Sequence, residues 1–148
     1  MIFIESESAQ TFPVDLLERA ARSVLDLSPD PDADLTIALV EDVRIQGLNR
    51  DFLGHDAPTD VLSFPADEPD PDTGHRYLGD VVISPARAAE QAAERGHAVE
   101  AEMQLLVVHG VLHLLGHDHA EPGEKDRMWA AQAGALERLG LSPNIVHE

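Results

Sequence analysis

Apolar positions recur along this chain with two periods, and the switch between them marks out its elements. Four short runs rich in branched and apolar residues, Ile2–Glu5, Leu35–Val40, Val61–Phe64 and Asp80–Ile83, predict strands. Between them the period lengthens to that of a helix. Pro13–Leu27 places Val14, Leu17, Ala21, Val24 and Leu25 on one face, with Thr11 as its cap. Glu41–Leu53 predicts a second helix, closed by a left-handed residue at Gly54. Ser84 followed by Pro85 opens a third, a capping hydroxyl and then a ring with φ already set, and Gly96 stops it. Ala98–Leu115 is apolar nearly all round from Leu105 onward, which predicts a buried central helix ended by Gly116. A last helix runs from about Glu121 to Leu139, with Pro122 in its first turn and Gly140 after its end. Ser28–Asp34 and Ala66–Gly74, rich in Pro and Asp, predict loops. The sum is an α+β fold, a mixed sheet of about four strands packed with about five helices. Residues 1–148 form one domain, with a loosely held tail from about residue 141.

Composition narrows the chemistry. There is no cysteine, so disulfides and thiolate metal sites are excluded and histidine and carboxylate are left as the strong ligands. The first five residues carry no basic stretch ahead of an apolar one, and no apolar run approaches a membrane span, so a cytoplasmic protein without membrane contact is expected. The formal net charge is -18, from 28 acidic and 10 basic residues. So acidic a surface bears on solubility and association rather than fold, and is the reverse of the basic balance of most nucleic-acid binders.

The run His109-Gly-Val-Leu-His113-Leu-Leu-Gly116-His117-Asp118-His119 concentrates the candidate chemistry. His109 and His113 lie four apart on the central helix and project from one face, one turn apart. Two imidazoles so placed meet one ion at zinc–nitrogen distances of about 2.0–2.1 Å. Gly116 lets the chain turn back, so that His119 reaches the same ion; His117 is the alternative third ligand. Three protein ligands leave a fourth position for water, the arrangement of catalytic zinc. The plainer alternative, two core histidines, meets the cost of roughly 1–3 kcal/mol for each unpaired buried polar group among leucines and valines. One Zn2+ per chain, on His109, His113 and His119, with hydrolysis as its work, is the expectation. The spacing HxxxHxxGxxH is also that of metzincin proteases, whose glutamate general base stands where this chain has Gly110. That glycine argues against proteolysis and is expected to leave room beside the ion for a phosphodiester.

These residues resemble the HGxLHLxGxDH signature of YbeY-type endoribonucleases. Leu48-Asn49-Arg50, Pro58-Thr59-Asp60-Val61-Leu62-Ser63-Phe64-Pro65 and Leu78-Gly79-Asp80-Val81-Val82-Ile83-Ser84 match in the same order, so the resemblance runs from about Leu35 to Trp129. It implies a zinc site on the three histidines, an α+β fold and cleavage of single-stranded ribosomal RNA in small-subunit 3′-end maturation and ribosome quality control. The ribosome or its proteins are then the partners, and a basic one would bring RNA to so acidic a chain. Many members of the family carry an arginine, thought to engage RNA, where this chain has Leu53, in Phe52-Leu53-Gly54-His55-Asp56. The departure moves the expected phosphate contact to Arg50 or His55.

A bound zinc ion acidifies water and polarises a phosphoryl oxygen, or it activates the RNA 2′-hydroxyl; a cyclic phosphate end marks the second route. Asp118 is placed either to orient a ligand imidazole or to close a turn on its own backbone. Asp80 reads as a turn acid, Thr59 and Asp60 as holding the loop before the third strand, Ser63 as a cleft residue, Phe64 as core, and Met128 and Trp129 as core or interface. Two rival functions stand beside the nuclease: a metalloprotease lacking the usual glutamate, and a non-catalytic ribosome-associated module stabilised by zinc.

Overall fold

The protein, seen in a computed structural model, is described over residues 1–117 and 122–142, less the side chains of Asp67 and Pro122. Four strands and five helices follow one another as β1 (Ile2–Ser6), α1 (Val14–Leu25), β2 (Asp34–Leu39), α2 (Asp42–Leu53), β3 (Val61–Pro69), β4 (Arg76–Ile83), α3 (Pro85–Arg95), α4 (Val99–Leu114) and α5 (Pro122–Arg138). The strands make one mixed sheet in the order β1-β2-β4-β3, with β1, β2 and β4 parallel and β3 antiparallel to β4. The expected α+β architecture is therefore the one observed.

Alternation in the inner strands decides which layer packs where. Leu35, Ile37 and Leu39 of β2 and Val81 and Ile83 of β4 are buried in the main core, against α1, α4 and α5. Val82 points the other way and joins Val40, Ile45 and Leu62 in a smaller core beneath α2, with Phe64 packed beside it. The result is three layers, helices, sheet and helix. In α4 the residues from Glu102 to Leu112 are all buried, as an apolar helix at the centre of a domain must be.

Several ends fall where local chemistry sets them. The Ser84 hydroxyl accepts from the Arg87 N–H at 3.3 Å and Pro85 follows it into α3, while Gly54 and Gly96 close α2 and α3 at φ of 77° and 74°. Other ends depart from expectation. α1 starts after Pro13 with no side-chain cap, so Thr11 does not fill that role. β3 runs on to Pro69 and pairs with a β4 that begins at Arg76, so of Ala66–Gly74 only the part from Asp70 onward is loop. The ladder survives the prolines because β3 is an edge strand and slips register between Pro65 and Glu68, where a missing N–H is tolerated. Of the tail, the Leu141 N–H still donates to Leu136 O at 2.9 Å, and residues 143–148 lie outside the described residues.

Candidate active-site cleft

A cleft of about 680 Å³ opens where α4 crosses β3, walled on one side by α3. Its floor is His109 and His113, and its rim is built from Thr59 through Ser63, Pro65, Leu53, Gly116 and His117. The helical spacing performs as the sequence requires: the Nε2 atoms of His109 and His113 stand 3.0 Å apart, with ring centroids 4.6 Å apart and planes at 72°. On the far side of His109, Nδ1 lies 3.2 Å from the Oε1 of Gln132 on α5. An amide oxygen accepts only, so this bond holds the proton on Nδ1 and turns the lone pair of Nε2 toward His113. Two imidazole nitrogens facing one point, one of them with its tautomer set by an amide behind it, are donors that fit a zinc-type cation.

Leu115 ends α4 and Gly116, at φ 96°, turns the chain, with the His117 N–H returned to Leu112 O at 3.0 Å. His117 thereby lines the same cleft. His119 and Asp118 lie outside the described residues, and among the described residues no group of three or more metal-ligating side chains converges.

The strand side of the cleft is held by its own polar groups. Asp60 Oδ1 accepts from the Val61 N–H at 2.8 Å and from the Thr59 hydroxyl at 3.3 Å, and the Asp60 carbonyl accepts from the Ser84 N–H at 2.9 Å, so Asp60 fixes the entry to β3 with Thr59 bonded to its carboxylate. Ser63 faces α4 and donates to Gly110 O at 3.0 Å, while Phe64, one residue on, points to the opposite face of the sheet and meets Phe52 edge-on. Asp80 is likewise on that opposite face, bonded by the Tyr77 hydroxyl at 2.5 Å, and takes no part in the cleft. Burial and this carboxylate push the Tyr77 hydroxyl up to about 12.

One expectation is corrected, and two candidate residues lie apart from the cleft. Gly110 leaves no room beside the histidines: a Cβ there would stand 2.5 Å from Val81 Cγ1 and 3.1 Å from Cγ2, so the glycine is what lets α4 lie on β4. Arg50 and His55 are not brought into the cleft. Arg50 is on the surface with its Nε 3.0 Å from Asp51 Oδ1, which raises its pKa above the ordinary guanidinium value through that bond and charge. His55 is exposed in the turn after α2, its N–H given to Asn49 O. The side chains that do enter from the helical wall are Gln91 and Arg95, one turn apart on α3, and Leu53 stands at the rim. Neither Gln91, Arg95 nor Gln132 carries a motif; only the i, i+4 spacing of the first two hints at a shared face.

Fold and site together define an α+β protein with an imidazole-floored cleft between a central helix and an edge strand. A family model for endoribonuclease YbeY matches residues 3–140. The chain is 43% identical over 147 residues to the endoribonuclease YbeY of Clavibacter sepedonicus, covering 95% of this chain and 96% of that one. It is 44% identical over 133 residues to that of Desulfitobacterium hafniense, covering 85% of each. Its fold is similar to the solution structure of TM1509 from Thermotoga maritima, with a TM-score of 0.63 and 27% identity over 95% of this chain and 92% of the other. The chain belongs to the endoribonuclease YbeY family.

Proposed function

We propose that this chain is a zinc-dependent endoribonuclease that cuts single-stranded ribosomal RNA in small-subunit 3′-end maturation and ribosome quality control, in the cytoplasm and in company with the ribosome or its proteins. The observation that carries the reading is the pair of facing imidazole nitrogens, 3.0 Å apart, on the floor of a cleft large enough for a nucleotide. Membership of a family named for endoribonuclease activity supports the reaction type.

His109 and His113 would hold the ion from α4, with His119 as the third ligand and His117 as the alternative. When bound, zinc supplies Lewis acidity at the scissile phosphate and makes an attacking hydroxyl available near neutral pH. The rest falls to the protein. Gln132 keeps the Nδ1 proton of His109 away from the cleft, so that Nε2 remains a donor of electrons. Ser63, bonded to the α4 backbone, and Asp60, bonded to the start of β3, keep the opposite wall in place. A peptidase reading is disfavoured, because the position that carries a metzincin glutamate faces Val81 with no space for a side chain.

The test is cleavage of a labelled RNA spanning the small-subunit 3′ region by zinc-loaded protein and by His113→Ala, at equal concentration and low salt. Cutting by the first alone is the expected result. Equal cutting by both, or none by either on free RNA and on RNA within the ribosomal subunit, overturns it.

A further inference from the structure

The helical wall of the cleft carries two side chains that the histidine pair does not explain. Arg95, in the last turn of α3, is the one permanent cation among the described residues that line the cleft, in a chain of net charge -18. Its side chain keeps 34% of its exposure, and its Nη1 lies 3.4 Å from Oε2 of Glu102, a fully buried carboxylate in the first turns of α4. The other oxygen of Glu102 meets His97 Nε2 at 2.6 Å, so one buried acid ties the end of α3, the α3–α4 turn and α4 together. Glu102 itself does not line the cleft. It stands behind Arg95 and holds its guanidinium from the α4 side, which lowers the ordering cost of any contact the guanidinium makes.

One turn earlier on the same face, Gln91 also lines the cleft, and its Oε1 is buried with no hydrogen-bond partner among the described residues. A buried amide oxygen left so is costly, on the order of 1–3 kcal/mol, and calls for a donor. A hydroxyl answers it whichever way the amide is turned, since a hydroxyl both donates and accepts.

We propose that Gln91 and Arg95 form the substrate-positioning wall of the cleft, Arg95 contacting a phosphate of the RNA chain and Gln91 the 2′-hydroxyl of a neighbouring ribose, with Glu102 as the positioning residue behind Arg95. The inference rests on the endoribonuclease reading and gives it a basis for preferring RNA over DNA. A guanidinium presents forked N–H donors that match a phosphate, and the 2′-hydroxyl is the group by which a protein tells the two nucleic acids apart.

Binding of a fluorescent single-stranded RNA and of the DNA of the same sequence tests it, measured by anisotropy in a His113→Ala background across a salt series. Arg95→Gln is expected to weaken both oligonucleotides about tenfold at low salt and to lower the salt slope by about 0.7, the contribution of one phosphate on a single strand. Arg95→Lys should restore the slope but only part of the affinity, because the charge returns without the fork. Gln91→Leu is expected to weaken RNA about fivefold and leave DNA unchanged, narrowing the RNA preference. Glu102→Gln should lose part of the affinity that Arg95→Gln loses and leave the slope unchanged, because the cation and its phosphate contact are kept and only the restraint is lost. An Arg95→Gln slope equal to that of the background, or an equal loss on RNA and DNA in Gln91→Leu, overturns the proposal while wild-type cleavage of RNA leaves the nuclease reading standing. A background protein that binds neither oligonucleotide, together with a wild type that cuts no RNA, overturns both.

Discussion

Gln132 on α5 and His109 on α4, 23 residues apart in the chain, are joined by a 3.2 Å contact between Oε1 and Nδ1, while the opposite nitrogen of the same ring faces His113. The amide therefore stands on the remote side of the imidazole from the cleft, the place from which ring tautomer and orientation are set. Gln132→Leu keeps the volume and removes the acceptor. Its zinc affinity, read by competition with a chromophoric chelator, should fall about 10- to 100-fold with little change in melting temperature of the metal-free protein. Affinity equal to wild type would mean that the ring is held by packing alone.

Gly110 and Val81 mark how closely α4 lies on the sheet. A methyl group on Gly110 meets Val81 Cγ1 at 2.5 Å. In an open helix Gly→Ala gains about 0.5–1 kcal/mol, so the sign of the change discriminates. Gly110→Ala should instead destabilise by about 1–3 kcal/mol in urea unfolding, the cost of an overpacked core. Val81→Ala made in the same chain should recover part of that loss, and the non-additivity of the two changes measures the contact. A stabilised Gly110→Ala variant would refute the packing account.

Much of this was legible in the sequence, and the misses have physical causes. The i, i+4 spacing of His109 and His113 specifies a shared helical face, and the structure places both rings on the floor of one cleft. Ser84, Pro85 and Gly96 bound α3 as their capping chemistry requires. β3 was underestimated because Pro65 and Pro69 read as breakers, and only the sheet order reveals an edge where a proline costs no ladder bond. Gln132, Gln91, Arg95 and Glu102 stayed hidden because each acquires its partner or its place through tertiary packing, and a helical glutamate with an arginine seven residues before it reads as solvated charge. Gly110, expected to leave room beside the ion, faces Val81 instead: its helix position is evident, but what lies across from it depends on the register of α4 over β4.

Gly79 shows the tightest backbone approach. Its φ is 132°, and a Cβ there would fall 2.1 Å from Phe64 O and 2.9 Å from Pro65 Cα, where β4 passes the irregularity in β3. Backbone atoms do not yield as a side-chain tip does. Gly79→Ala should cost about 3 kcal/mol or more, from strain and from separation of the hairpin that forms the cleft wall. The readout is the urea midpoint together with RNA cleavage, and both should fall. A midpoint within about 0.5 kcal/mol of wild type, the range of a neutral surface change, would contradict this reading.

Asp34 ties the tip of the β3–β4 hairpin to the start of β2. Its fully buried carboxylate accepts from the Thr73 hydroxyl at 2.5 Å and from the Met1 ammonium, with His75 Nδ1 at 3.5 Å. Burial raises its pKa, but the bonds from the ammonium and Thr73 outweigh that and set it at about 2, against an ordinary 3.8. A folded-state value below the unfolded one contributes stability that is fully present above about pH 4 and is lost as pH falls toward 2. Asp34→Asn should therefore lower stability at pH 7 by about 2 kcal/mol, at 1.36 kcal/mol per pKa unit. Urea midpoints of wild type and variant should converge between pH 4 and pH 2, because the wild-type carboxyl becomes neutral over that interval. A difference that stays constant down to pH 2 would assign the loss to shape rather than to charge.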